Sequence, residues 1–286
     1  MRYYHVDGHL IAETDDRSRA VDLTAARPEL GQFRDLARVA GAADVTIDTL
    51  ASRHLEAGRS IDHDQLTAAD VPCRPPEVWA AGVTYLISEQ AREGESQMPE
   101  MYLDVYDADR PELFFKATPS RTVGPGEAVG IRQDSNWDVP EPELGIVLYR
   151  GEAVGYTIGN DMSSRDIEGQ NPLYLPQAKV YDRCCALGPC VASAETVGDP
   201  HDLDMTMSIR RAGETVYEET TNTGEMVRTC EDLAAALAAH NRLPNLTVLL
   251  TGTALVPPDE FTLRPDDDVV IDIDQLGRLT NPVVEV

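Results

Sequence analysis

Apolar and polar positions divide this chain into short strand-like runs with a few helical stretches between them. Arg2 to Ala12 reads as short strands around a turn at Asp7-Gly8. Leu30, Phe33, Leu36 and Ala40 recur at helical spacing after Pro28, and a second helix is expected over 46–58, closed by Gly58. Pro72, Pro75 and Pro76 interrupt any continuing helix. They divide the chain into a small segment, 1–72, and a larger one, 73–286. Residues 77–82 predict a strand that turns at Gly82 into a helix starting near Thr84. The polar stretch 93–110 has no period and suits a loop that closes over a site. Residues 144–148 and 153–161 are strand-like, and the Asn171-Pro172 and Leu175-Pro176 steps predict an extended loop over 165–182. Residues 205–221 read as paired strands turning at Ala212-Gly213. A helix follows over 229–243 with Thr229 as its N-cap. A buried strand enters Thr251-Gly252-Thr253, and the final segment alternates around Gly277.

Composition narrows the partners. The 286 residues carry a net charge of −26, with a sequence pI near 4.4. So acidic a surface repels nucleic acid and anionic membranes, which excludes both as partners. The acidic residues are dispersed rather than gathered in a tail, as suits a protein working in concentrated salt, where self-repulsion is screened, and a halophilic source is expected. The five cysteines, three of them clustered as Cys184, Cys185 and Cys190, have neither disulfide-framework nor zinc spacing. Reduced thiols, no signal-peptide core and no membrane-length apolar run together lead us to expect a soluble, cytoplasmic protein.

Candidate chemistry sits in 138–189. Glu141 and Glu143 are two residues apart, so an extended strand projects both carboxylates to one face. On their own, in so acidic a chain, they read as the solvated face of an edge strand. Asp161, at the end of the next apolar run, could bring a third carboxylate beside them. Three converging carboxylates need a cation, and hard oxygen donors suit Mg²⁺, with Mn²⁺ or Ca²⁺ as alternatives. Only two of the 24 basic residues are lysines, Lys116 and Lys179. A lysine kept where arginine is otherwise preferred marks a place needing a compact ammonium that can change its pKa.

The ordered segments EPEL (141–144), NDMSSRD (160–166) and QAKVYDRCCALGP (177–189) resemble the fumarylacetoacetate hydrolase superfamily. That family carries a Glu-x-Glu-Leu strand, Asp-(Met/Val)-(Ser/Thr)-x-Arg-Asp, and a Lys before a Gly/Pro turn. The resemblance runs from about Pro76 to Val286 and includes LLTGTALVPP (249–258). It implies a mixed α/β, mainly β fold: a β-rich catalytic domain preceded by a small α/β N-terminal domain, assembled as a homodimer or homotetramer. Glu141, Glu143 and Asp161 fall on the metal ligands, Lys179 on the site lysine, Lys116 on a Leu-Phe-x-Lys position, and Thr253 on a turn that binds the substrate carboxylate. Many members have Gly-x-Asn-Tyr-x-x-His with a water-activating His; here Gly82 to Ser88 puts Ser88 in that place, which argues against His-assisted hydrolysis. Tyr85, Ser88, Arg92, Lys116 and Thr253 are expected against substrate. Glu89, and Glu112 beside Phe114 and Phe115, are expected as acid or base together with Lys179. Arg165 and Asp166 read as a structural ion pair.

The segment EGQNPLYLPQAKVYD (168–182) resembles the branch acting on 2-keto-3-deoxy sugar acids. The implied activity is metal-dependent dehydration of a 2-keto-3-deoxy-pentonate to 2,5-dioxopentanoate, with a small 2-keto sugar acid as the partner. The alternative on the same site is acylpyruvate hydrolysis or oxaloacetate decarboxylation. A third expectation, from another class, is a sugar-acid or metal binder without catalysis, and the complete Glu/Glu/Asp/Lys set speaks against it.

Overall fold

The computed structural model describes residues 1–85, 105 and 108–286. The chain opens with β1 (Arg2–Val6), β2 (His9–Glu13) and β3 (Ala20–Asp22). Asp7 (φ 50°) and Gly8 (φ 81°) make the tight turn expected between the first two strands. The helix Phe33–Ala42 buries Phe33, Leu36, Ala37 and Ala40, and the helix Ile47–Ser52 starts at Thr46, whose side chain accepts from the Thr49 N–H. This second helix stops well short of Gly58, because the chain must turn there to lay β4 (Arg59–Ile61) on β3. A Cβ on Gly58 would collide with Val21 and the Asp22 carbonyl, so this glycine serves packing rather than a helix end.

Then come β5 (Glu77–Gly82), β6 (Glu112–Ala117), β7 (Thr122–Val123), β8 (Val129–Ile131), β9 (Asp138–Val139), β10 (Pro142–Tyr149), β11 (Glu152–Asp161) and β12 (Ser163–Ser164). Thr84 is not helical and Tyr85 bridges Met226, so the helix expected near Thr84 has not begun by Tyr85. The extended loop expected over 165–182 is instead largely helical: Arg165–Gln170, a 3₁₀ turn Pro172–Tyr174, and Leu175–Lys179. Both prolines sit in the first turn of a helical segment, where the missing N–H costs no hydrogen bond. Asn171 keeps the extended backbone of a pre-proline residue and caps the 3₁₀ turn.

The remaining strands are β13 (Cys185–Ser193), β14 (Asp204–Arg211), β15 (Glu214–Asn222), β16 (Leu246–Leu250), β17 (Asp268–Ile273) and β18 (Gly277–Glu285). The Ala212-Gly213 turn and the Thr229 cap lie where expected. One sheet runs β4-β3-β2-β1-β13-β11-β10-β16-β5-β6, with β7 also on β13; a second runs β15-β14-β17-β18-β8; β12 pairs β9. The N-terminal strands thus continue the large sheet through β1 on β13 and share one apolar core with the rest of the chain. β10 and β16 are buried along their whole length, which accounts for their unbroken apolar runs. All five cysteines are free and buried. Among the described residues no helix is long and apolar enough to cross a membrane.

Candidate metal centre

The carboxylate cluster is a product of sheet register. Glu143 and Glu141 are alternate positions leading into β10. The β10–β11 ladder places Pro142 opposite Asn160 and Glu143 opposite Gly159. Glu141 therefore faces Asp161, whose N–H donates to the Glu141 carbonyl at 2.9 Å. Cross-strand neighbours lie side by side on one face, so Asp161 joins the two glutamates. One oxygen from each of the three lies within 4.8 Å of the others, and all three residues are buried. Gly159 contributes by omission, since a Cβ there would meet the Leu250 side chain.

Cations surround this cluster unevenly. Lys179, at the C-terminal end of the helix Leu175–Lys179, points its Nζ between Glu141 (2.7 Å) and Asp161 (3.2 Å), and it also donates to the Ser163 hydroxyl (2.6 Å). Phe114 covers that ammonium, its ring centroid 5.4 Å away. Arg165 Nη2 donates to the other Glu141 oxygen at 2.8 Å. Glu143 is different: the Gly252 N–H donates to it at 2.6 Å, and among the described residues no cationic side chain is within ion-pair distance. Burial, then the charges of Asp161 and Glu141, push its carboxyl well above the usual carboxylate range. A doubly charged hard ion is what this all-oxygen set lacks, so the residues fit a divalent cation.

A cavity opens on the cluster. Its walls include Gly82, Glu112, Phe114, Glu168 and Thr253 beside the three carboxylates, Arg165 and Lys179. Glu112 reaches it from β6, opposite Gly82 on β5. Thr253 lies past the Gly252 turn (φ 90°), and its hydroxyl accepts from the Leu255 N–H at 3.1 Å. No histidine is on this wall among the described residues. The expectations for Ser88, Glu89 and Arg92 lie outside the described residues, as does most of the polar loop 93–110.

Three expectations need correction. Lys116, expected against substrate, is fully enclosed behind Asp161 and is not on the cavity wall. Burial is the largest single influence and would lower its pKa, but Asp161 together with Cys184 and Cys185 outweighs it and the net shift is upward. Tyr85 is buried in the core off the cavity wall, and its hydroxyl has no hydrogen-bond partner among the described residues. Arg165 pairs with Glu141, not Asp166; Asp166 accepts from Asn136 and Gln170 instead. Arg165, Ser163, Glu168 and the Gly252 N–H are site groups the sequence reasoning passed over. The signal for two of them was present: Asp161, Ser163 and Arg165 repeat the two-residue spacing already used for Glu141 and Glu143.

The sheet and its carboxylate-lysine cluster define a member of a metal-site enzyme class. The sequence matches the family described as "Fumarylacetoacetate (FAA) hydrolase C-terminal" over residues 77–284, and the chain belongs to it. Within that family it is 57% identical, over 99% of its own length and 100% of the relative's, to a Haloferax volcanii protein named "Probable 2-keto-3-deoxyxylonate dehydratase". It is 46% identical to the Saccharolobus solfataricus "2-dehydro-3-deoxy-D-arabinonate dehydratase" over 74% of this chain and 73% of that one. A solved structure of "2-keto-3-deoxy-D-arabinonate dehydratase complexed with magnesium and 2,5-dioxopentanoate" superposes with a TM-score of 0.82 at 36% identity, covering 100% of this chain and 98% of that one.

Proposed function

We propose that this protein is a divalent-metal-dependent hydro-lyase that converts a 2-keto-3-deoxy-pentonate to 2,5-dioxopentanoate and water in oxidative pentose breakdown. The observation that carries the proposal is the lysine ammonium wedged between two of three clustered carboxylates, in a chain 57% identical to a named dehydratase of such an acid. Glu141, Glu143 and Asp161 would hold the cation, which supplies Lewis acidity toward the carboxylate and ketone oxygens of a 2-keto acid. Lys179 contacts two of the three carboxylates, and we assign the C3 proton to it. Glu112, on the cavity wall, supplies the proton that lets the C4 hydroxyl leave as water. The unsaturated product then isomerises to the C5 aldehyde, so the net change is loss of one water. Thr253 and the Gly252 turn bound the end of the cavity where the substrate carboxylate would lie, and Phe114 keeps solvent off Lys179.

We place this activity in the cytoplasm, in a homodimer or homotetramer. Five buried free thiols suit a reducing compartment, and the oligomer is what the family resemblance implies. The deciding assay incubates the purified protein with 2-keto-3-deoxy-pentonates and Mg²⁺ and measures aldehyde against pyruvate. Aldehyde is the expected product. Pyruvate would transfer the site to carbon–carbon cleavage, and no turnover would overturn the assignment.

A further inference from the structure

Strand β6 aims three alternate side chains at the site. Glu112 and Phe114 line the cavity, and Lys116, next on the same face, ends beneath it with no exposed surface. The Lys116 ammonium meets three oxygens: the Asp161 carboxylate (2.5 Å), the Met162 carbonyl (2.8 Å) and the Lys179 carbonyl (2.5 Å). Two of its N–H groups donate to the carbonyls, and the Asp161 carboxylate is held as an ion pair. A planar guanidinium could not meet three oxygens converging on one point, which gives a reason for lysine in a chain that otherwise uses arginine. A buried charge pair is not in itself a gain in stability, and this one sits on the site. One partner is a candidate cation ligand and another is the backbone of the site lysine.

We propose that Lys116 is a positioning residue, whose ammonium ties the Asp161 carboxylate to the Lys179 peptide and so sets the separation between the third cation ligand and the proton-carrying lysine. This deepens the proposed function and rests on its assignment of Asp161 and Lys179. Lys116 touches no substrate; it acts through those two residues. Its charge also offsets part of that of Asp161, leaving the three carboxylates less negative toward an incoming cation.

The test uses the full-length protein with Lys116→Met, which keeps the side-chain length and removes the charge. Because the chain has two lysines, a ¹³Cε-lysine NMR spectrum holds two side-chain signals in the parent and one, Lys179, in the variant. The Lys179 signal is expected to move, and kcat per folded molecule to fall about 10- to 100-fold, as for a misplacement of about 1 Å, with KM within about threefold. Mn²⁺ affinity by calorimetry is expected to be equal or tighter, since a positive charge has left the side of Asp161. A purely structural role predicts a lower melting temperature with the Lys179 signal unmoved and kcat per folded molecule unchanged, and either result overturns the proposal. So does Mn²⁺ affinity that falls along with kcat. If Lys116→Met does not fold, Lys116→Arg replaces it: a displaced Lys179 signal supports the tether and a parent-like one refutes it. Spectrum and calorimetry decide the matter even if no 2-keto-3-deoxy-pentonate is turned over.

Discussion

Glu143→Gln isolates the link between cation and fold. Glutamine keeps the shape and can still accept from the Gly252 N–H, but it removes the one carboxylate of the cluster that has no cationic side chain within ion-pair distance among the described residues. In the parent, burial and the neighbouring Asp161 and Glu141 charges raise the Glu143 carboxyl. The native state therefore holds that proton more tightly than the unfolded chain. The associated stability is present at low pH and is lost as pH rises through the raised value. Without metal, Glu143→Gln should melt above the parent, by a margin that widens with pH. Metal reverses the ranking. At a free cation concentration 100 times its Kd, binding stabilises the parent by about 2.7 kcal/mol, which in a chain of this size raises Tm by roughly 4–5 °C. Losing a direct ligand should cost at least the roughly 100-fold in affinity seen for outer partners. The same cation concentration then adds only about 0.4 kcal/mol, roughly 1 °C. Differential scanning fluorimetry across pH, in EDTA and in Mg²⁺ or Mn²⁺, reads both effects. A variant that kept the full metal shift, or that melted below the parent without metal, would refute the reasoning.

Substitutions at three further positions extend the test. Lys179→Met removes the ammonium held by Glu141, Asp161 and Ser163; aldehyde formation should fall about 10²- to 10⁴-fold in single-turnover assays. Lys179→Arg should fail to restore it, because a planar fork does not fit that corner. Gly82→Ala places a methyl against the Glu112 carboxylate; that side chain should swing away, lowering kcat roughly tenfold or more with Tm nearly unchanged. Asp138 is the pH probe: burial raises its carboxyl to about 6. Its raised pKa means stability is lost as pH rises from the ordinary carboxyl range through about 6. Asp138→Asn should melt above the parent beyond that pH, and the gap should close toward pH ~4; thermal melts at stepped pH check it.

Much of this protein was legible locally. The Glu141/Glu143 spacing, the Asp7-Gly8 and Ala212-Gly213 turns and the Thr229 cap each involve residues a few positions apart, where backbone geometry leaves little choice. Scarcity singled out Lys116 and Lys179 before any coordinate was known. Local rules misled where a residue type serves two contexts. Pre-proline steps read as extended, yet proline equally suits a first helical turn, and 165–179 is largely helical. The sequence by itself thus determined which side chains could form a cation site and which stretch would carry the first two candidate ligands. Tertiary structure alone decided that Asp161 faces Glu141, that Lys179 reaches them across 38 and 18 residues of chain, and that Lys116 lies behind the cluster rather than in the cavity. Periodicity specifies the face a side chain leaves from; what it meets there depends on register and packing between segments far apart in the chain.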